Sequence, residues 1–185
     1  KRNSQLSIIL EETDRLKSLV DDTLNLSQIQ SEDFRPDMVP FDIFATVNSI
    51  MSRFAHMSEE KGITLDMQWD KASVVVLGDE PRIEQVIYNF VNNAFNHTAS
   101  GGWIKISIST NEDNVKIEVS DNGHGIPSEE LPYIWDRFYK ASKDDKGKGL
   151  GLSIAKEIME AHNSSYGVES IPEVGTTFWF TLLKA

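Results

Sequence analysis

The fold is most easily read from the stretch Val115-Lys116-Ile117-Glu118-Val119-Ser120-Asp121-Asn122-Gly123-His124-Gly125-Ile126. Apolar and polar residues alternate up to Asp121, which predicts a half-buried strand followed by a glycine-containing turn. Aspartate at a strand end can accept a hydrogen bond from the exocyclic amine of a base, and the glycines allow a close approach of the backbone to a ligand. Aspartate and glycine are also common in plain turns, so this stretch alone leaves a nucleotide site and an ordinary turn both open.

A second glycine-containing loop, Gly147-Lys148-Gly149-Leu150-Gly151-Leu152, leads directly into a helix that we predict over about 150–162. The first turn of a helix has unpaired N–H groups and the positive end of the helix dipole, which together bind anions such as phosphate. The loop has neither the spacing of a Walker loop nor that of a GxGxxG dinucleotide turn. Residues 137–148 carry five basic and two acidic side chains within an acidic chain, which favours a phosphate loop over a flexible hinge.

Upstream of both loops, a helix is predicted over about 80–97, because apolar residues recur there at three- and four-residue spacing. Its apolar face comprises Ile83, Val86, Ile87, Phe90 and Ala94. Asparagines at 89, 92, 93 and 96 crowd the same helix, although asparagine is a poor helix former. Asn89 and Asn93 project from one face, where amide oxygens suit Mg²⁺ and amide nitrogens can donate to phosphate. The alternative is a solvated polar face.

The other elements follow from the same periodicities of apolar residues. Strands are predicted over 63–69, 74–77, 103–109, 115–121 and 177–183, and a further helix over 43–60. Helices interspersed with hairpin-like strand pairs are typical of helices layered on one face of a mixed sheet. We therefore expect an α/β fold, a two-layer α/β sandwich with a mixed sheet and an additional N-terminal helix.

The N-terminal segment is predicted to be a separate amphipathic helix, because residues 4–30 contain no glycine or proline and carry an apolar stripe from Leu6 to Leu24. No second helix lies next to it in sequence, which favours a partner helix over packing on its own domain. Prolines at 36 and 40 then stop the helix from continuing. The predicted boundaries are 1–33 for this helix, 34–40 for a linker and 41–185 for the main domain.

Composition limits the classes of function. The chain has 185 residues, with 18 Lys plus Arg against 29 Asp plus Glu and a formal net charge of −11. This balance argues against broad binding to nucleic acid or anionic membranes, so a polyanionic ligand has to be held locally. The absence of cysteine excludes disulfides and thiolate metal sites. No apolar run approaches the roughly 20 residues that a membrane-spanning helix needs, and we expect this fragment to be soluble.

Taken in order, these motifs resemble the catalytic, ATP-binding domain of sensor histidine kinases in the GHKL superfamily. Residues 79–97 are similar to the asparagine box, 121–126 to the first glycine box and 147–152 to the second. Trp135-Asp136-Arg137-Phe138-Tyr139-Lys140 resembles the phenylalanine box, and Gly175-Thr176-Thr177-Phe178 the closing glycine-threonine turn. Residues 4–30 are similar to the second helix of the dimerisation and phosphoacceptor hairpin. The resemblance implies the GHKL, or Bergerat, ATP-binding fold.

The resemblance also implies a site for ATP and Mg²⁺. It places around the nucleotide Asn89, Asn93, Asp121, Gly123, Gly125, Ile126, Lys140, Gly147, Gly149, Leu150, Gly151, Leu152, Thr176 and Thr177. Among these, Asp121 would bind adenine, Asn93 would bind Mg²⁺ and Lys140 would meet the γ-phosphate. Asn93 and Lys140 would be the catalytic residues, Asn89 would lie beside the phosphates, and either Thr176 or Thr177 would line the adenine end.

The implied reaction is transfer of the γ-phosphoryl group of ATP to a histidine, and then to a response regulator. The implied partners are that response regulator and a dimerisation helix of the same or a second protomer. The domain would be cytoplasmic, in a parent protein of the bacterial cell membrane. None of the histidines at 56, 97, 124 and 162 fits the phosphoacceptor. We expect all of them to be structural or solvated, and this fragment to bind ATP without phosphorylating itself.

Some features depart from the family pattern. Asn96 and His97 replace a basic and an aromatic residue, and Lys148 occupies a position that is usually small. The stretch 140–147 is short for an ATP lid. These departures leave one alternative open, a degenerate and non-catalytic kinase-like module that keeps the fold for interaction with a partner.

Overall fold

The computed structural model of the chain describes residues 2–31, 33–70, 73–140 and 149–185. The chain divides into two compact units, Lys1–Phe34 and Arg35–Ala185. Within the described ranges, no helix combines the length and the apolar character needed to cross a membrane. Gly147, which the resemblance assigns to the phosphates, lies outside the described residues.

The first unit contains one helix, α1, over Arg2–Ile29. This confirms the N-terminal helix predicted for residues 4–30. Leu16, Val20 and Leu24 follow one another along α1 at four-residue spacing, and each is more than half exposed. They therefore form an apolar stripe on one side of the helix.

The described residues of the second unit form three helices and seven strands. The helices are α2 over Ile43–Lys61, α3 over Glu80–His97 and α4 over Gly151–Ala161. The strands are β1 (Val39–Asp42), β2 (Thr64–Trp69), β3 (Val75–Gly78), β4 (Trp103–Thr110), β5 (Asn114–Asp121), β6 (Tyr166–Ile171) and β7 (Gly175–Leu183). Eight of these ten elements were predicted from sequence, with boundaries within two residues.

Five of the strands form a mixed sheet in the order β2-β4-β5-β7-β6. β2 and β4 are parallel, whereas the other neighbours are antiparallel. Buried and partly exposed residues alternate along the whole of β5 and most of β7, so one face of the sheet carries the core. The architecture is the predicted two-layer α/β sandwich.

The core lies between this face and the helices. All five apolar residues predicted for the buried face of α3 are at most 1% exposed. One of them, Phe90, stacks on Phe178 of β7 with ring centroids 5.1 Å apart. α3 contacts both α2 and α4, and it also contacts β4 and β5. Helix α3 therefore lies between the other elements of the core. Because its apolar face is packed against them, the position of its polar edge is fixed.

Strands β1 and β6 were not predicted. β1 pairs antiparallel with β3, and it takes up Val39 and Pro40 from the segment predicted to be a linker. Only Phe41 of β1 is buried. β6 pairs with β7 at the edge of the sheet, and none of its residues is buried. A strand without a buried face leaves little apolar alternation in the sequence, which explains both omissions.

Candidate functional site

One cavity of the second unit has a volume of about 340 Å³. Four parts of the chain contribute to its lining: the polar edge of α3, the end of β5 with the turn and loop that follow, the start of α4, and Thr176 of β7. The lining residues are Asn89, Asn92, Asn93, Asn96, His97, Asp121, His124, Gly125, Ile126, Pro127, Glu130, Ile134, Tyr139, Lys140, Gly149, Gly151, Leu152 and Thr176. The fold thus brings together residues from all the motifs found in the sequence.

Asp121 is the buried acid of the cavity, with 5% of its surface exposed. Its Oδ1 accepts a hydrogen bond of 2.8 Å from the backbone N–H of Gly123, and the backbone N–H of Thr176 also donates to its carboxylate. Burial raises the pKa of the Asp121 carboxyl, while these two hydrogen bonds and the nearby His124 partly oppose that shift. A held carboxylate with remaining acceptor capacity suits an amine donated by a ligand.

The turn after Asp121 requires glycine because it packs against other backbone segments. A Cβ atom at Gly123 would lie 2.4 Å from the carbonyl oxygen of His97. One at Gly125, where φ is +69°, would lie 2.2 Å from the carbonyl oxygen of Ile171. These contacts hold the turn against the end of α3 and the β6–β7 connection. The backbone N–H of the next residue, Ile126, donates to the Ser170 hydroxyl at 2.8 Å.

The asparagines of α3 form one wall of the cavity. The side-chain amide of Asn89 donates to the carbonyl oxygen of Gly151 at 3.0 Å, so it ties α3 to the first residue of α4. Asn93 lies one turn further along the same face and is half-buried. Within the described ranges, no group of three or more His, Cys, Asp and Glu side chains could hold a metal ion.

The start of α4 also lines the cavity, next to Asn89. Its N-cap residue, Leu150, provides no side-chain hydrogen bond to the first N–H groups of the helix. Gly149, Gly151 and Leu152 line the cavity beside these groups. An uncapped helix start that faces a cavity is suited to an anion. The Leu150 side chain is 1% exposed and belongs to the core, so it contributes packing and does not line the cavity.

The loop between β5 and α4 also contributes residues to the lining of the cavity. The backbone N–H of Phe138 donates to the carbonyl oxygen of Gly149 at 2.7 Å, which joins this loop to the start of α4. Tyr139 and Lys140 follow and line the cavity, and Tyr139 stacks on Tyr133. Lys140 is half-buried and contributes a cation to the lining of the cavity.

Three of the described residues that were expected around the nucleotide do not line the cavity: Gly123, Leu150 and Thr177. Gly123 contributes to the site indirectly, because its backbone N–H donates a hydrogen bond to the Asp121 carboxylate. Thr177 lies on the opposite face of the sheet from Thr176, and its hydroxyl donates to Ser120 at 2.9 Å. Of the two threonines left open by the sequence, Thr176 is the one in the cavity.

Other residues that line the cavity were not expected from the sequence, above all His97 and His124. Their rings lie within hydrogen-bond distance, with Nδ1 of His97 2.9 Å from Nε2 of His124. Both had been expected to be merely structural or solvated. Nothing in the sequence links the two positions, because the contact joins the end of α3 to the turn after β5.

Comparison with known proteins agrees with this geometry. Residues 78–185 match the family described as "Histidine kinase-, DNA gyrase B-, and HSP90-like ATPase". The chain is 34% identical over 183 residues to "Sensor histidine kinase WalK" of Bacillus subtilis (strain 168), and the match covers 96% of this chain and 30% of WalK. The chain thus spans about a third of the length of the curated relatives that it matches.

Solved structures show the same likeness. The full-length ShkA structure in complex with AMPPNP superposes with a TM-score of 0.88 at 26% identity, covering 99% of this chain and 39% of ShkA. Histidine kinase ThkA in complex with the response regulator protein TrrA gives a TM-score of 0.79 at 27% identity, covering 96% of this chain and 50% of that one.

Proposed function

The chain belongs to the histidine kinase-, DNA gyrase B-, and HSP90-like ATPase family, as an ATP-binding catalytic domain of the sensor histidine kinase type, and we propose that its cavity supplies the γ-phosphoryl group of ATP to a histidine side chain. The observation that carries this proposal is the combination of charged groups in the cavity. A buried carboxylate, Asp121, lines the same cavity as the cation of Lys140 and the uncapped start of α4.

These two kinds of group, a hydrogen-bond acceptor and groups that attract anions, suit the adenine and the phosphates of ATP. The exocyclic amine of adenine is a hydrogen-bond donor and suits the Asp121 carboxylate, with Thr176 beside it. The phosphates are anionic and suit the N–H groups around Gly149 and Gly151. Lys140 is proposed to meet the γ-phosphate, where a cation stabilises the charge of the group being transferred.

A divalent cation fits the same wall of the cavity. Mg²⁺ is usually held by one or two protein oxygens together with phosphate oxygens and waters, and the amide oxygen of Asn93 is a suitable donor. Bound there, Mg²⁺ would neutralise phosphate charge during transfer. Asn89 is proposed to lie beside the phosphates and to keep the start of α4 in register with α3 through its bond to Gly151.

The wider signalling role is proposed from the relatives. The response regulator in the ThkA complex supports onward transfer of the phosphoryl group to such a partner. Residues 1–33 are proposed as part of a dimerisation hairpin, in which the exposed stripe of Leu16, Val20 and Leu24 contacts a partner helix. Residues 34–40 would then be a linker before the catalytic domain, which we place on the cytoplasmic side of a membrane-anchored parent.

The direct test is calorimetric titration of the 185-residue chain with AMPPNP, with and without Mg²⁺. In Asp121→Asn, one oxygen would have to accept from Gly123, Thr176 and adenine together, so we expect affinity to fall about tenfold or more. Asp66→Asn is the matched control, because Asp66 is exposed on β2 and its carboxylate accepts only from the neighbouring Met67 N–H at 2.9 Å.

The outcomes separate the two functions considered for this chain. Binding that is strengthened by Mg²⁺ and lost in Asp121→Asn supports a working kinase domain. If the unmodified chain fails to bind AMPPNP under either condition, the proposal is wrong and a non-catalytic interaction module becomes the better description. If Asp121→Asn binds as well as Asp66→Asn, the adenine assignment is wrong.

A further inference from the structure

Two histidines meet at the rim of the cavity. His97 is the last residue of α3, and His124 lies in the turn after β5. The ring centroids are 4.9 Å apart with the planes at 89°, and Nδ1 of His97 lies 2.9 Å from Nε2 of His124. Both side chains line the same cavity as Asn93 and Lys140.

The hydrogen-bond partners determine where the protons lie. Nδ1 of His124 is 2.7 Å from the carbonyl oxygen of Gly125, and a carbonyl only accepts, so this nitrogen carries a proton. In neutral His124, Nε2 is then an acceptor, and Nδ1–H of His97 donates to it. A chain of two aligned hydrogen bonds thus runs from His97 through His124 to the Gly125 backbone.

This arrangement holds one extra proton but not two. If Nε2 of His97 is protonated, both hydrogen bonds remain and the positive charge of His97 is supported by the neutral ring of His124. If His124 were also protonated, two N–H groups would point at each other across 2.9 Å. The pair therefore has two stable states, neutral and singly charged.

We propose that nucleotide binding drives this pair into its singly charged state, so that one proton is taken up with the nucleotide. His124 is a positioning residue: it orients His97 and accepts its N–H, so that the imidazolium adds a cation to the cavity when phosphates are present. This inference rests on the proposed function, since it needs a polyanion in the cavity. The reciprocal consequence is that affinity for the nucleotide rises as the pH falls.

Other charged groups lie on the elements around the pair. Among the described residues they are Asp121, Glu130, Lys140 and Glu173, and Glu173 donates its backbone N–H to the carbonyl oxygen of His124. Protonation of Asp121 would remove the acceptor for adenine and weaken binding. Protonation of the nucleotide phosphates would also weaken binding. The contribution of the histidine pair is therefore the part of the pH dependence that is lost when His124 is replaced.

The test compares the 185-residue chain with His124→Phe and His124→Gln by calorimetric titration with AMPPNP and Mg²⁺. Phenylalanine keeps a ring but cannot accept from His97, whereas the glutamine amide oxygen still can. From about pH 8 to about pH 6, we expect affinity of the unmodified chain to rise about 5-fold or more relative to His124→Phe. His124→Gln should recover part of that rise. His56→Gln is the control, because His56 is exposed on α2 and does not line the cavity.

Two further measurements sharpen the result. Titration in buffers of different ionisation enthalpy should show uptake of up to about one proton per nucleotide in the unmodified chain and less in His124→Phe. NMR titration of the ligand-free histidines should show one shared protonation for the pair. Two independent protonations, or identical pH dependence of binding in the unmodified chain and His124→Phe, would overturn the inference and leave the proposed function standing. Absence of AMPPNP binding at every pH would overturn both.

Discussion

Thr176 and Thr177 illustrate how one step along a strand separates a residue that lines the cavity from one that does not. Side chains on β7 alternate between the two faces of the sheet. Thr176 is 6% exposed, lines the cavity and lies opposite Asp121 in the strand register. Thr177 faces the other side, where its hydroxyl donates to Ser120. The two residues therefore make a matched pair for mutation.

We predict that Thr176→Val weakens AMPPNP binding several-fold, whereas Thr177→Val leaves affinity unchanged. The reason is that only the first change removes a hydroxyl from the cavity wall. Each variant also loses one hydrogen bond, because the Thr176 hydroxyl bonds to that of Ser170 and the Thr177 hydroxyl to that of Ser120, so each should lower the free energy of unfolding by about 1 kcal/mol. Calorimetric titration and urea denaturation of both variants measure the two effects. Equal loss of affinity in both variants would contradict the assignment of the cavity face.

At the scale of elements, His162 joins the end of α4 to the start of α3. Its Nε2 accepts the backbone N–H of Asp79 at 3.1 Å, and its Nδ1–H donates to the carbonyl oxygen of Ile158 at 2.7 Å. Asp79 is the N-cap of α3, so the imidazole holds in place the helix that carries the asparagines. These two bonds require the neutral ring, and burial lowers the pKa of His162 below its usual range.

Acid should therefore weaken the junction of α3 and α4. Because the pKa of His162 is lower in the folded chain than in the unfolded chain, the unfolded state binds the proton first. The stabilisation is complete above about pH 6.5 and is lost as the pH falls through the folded value. We predict that His162→Gln lowers the free energy of unfolding by about 1–3 kcal/mol at neutral pH and by a smaller amount in acid.

Urea denaturation of the unmodified chain and His162→Gln, at several pH values between about 5 and 8, measures this difference. The control is His56→Gln, since His56 is exposed on α2. A difference in unfolding free energy that stayed constant over this range would show that titration of His162 does not contribute to stability.

On the scale of the whole molecule, all residues that line the cavity belong to the unit Arg35–Ala185. That unit also contains the five-stranded sheet and helices α2, α3 and α4. The whole chain has a net charge of −11, so a polyanion is held by local groups and not by the overall field.

We accordingly predict that removal of residues 1–34 leaves AMPPNP affinity within about twofold of the full chain and leaves one cooperative unfolding transition. The physical reason is that the described residues lining the cavity, together with the five-stranded sheet and helices α2, α3 and α4, all lie within residues 35–185. Calorimetric titration and thermal unfolding followed by circular dichroism test this. A large loss of affinity in the truncated chain would mean that the first unit contributes to the nucleotide site.

The elements that could be predicted are those with one clearly apolar face. α3 was recognised from residues such as Ile83 and Phe90, and β5 from Ile117 and Val119, because burial of one face imposes a period that is visible in the residues themselves. β1 and β6 bury almost nothing, so they left no such period. The motif order was likewise sufficient to recognise the family and to place Asp121, Asn93 and Lys140 together in one cavity.

Other features depended on contacts between segments that are distant in the chain. The register of β5 with β7 places Asp121 opposite Thr176, which selects that threonine over its neighbour for the cavity. The packing of the turn after β5 on the end of α3 creates the pair of His97 and His124. Apolar periodicity and motif spacing are local properties, so they can be recognised in the sequence. The pairs Asp121 with Thr176 and His97 with His124 depend on strand register and on the packing of helices on the sheet, and no local sequence pattern specifies these long-range contacts.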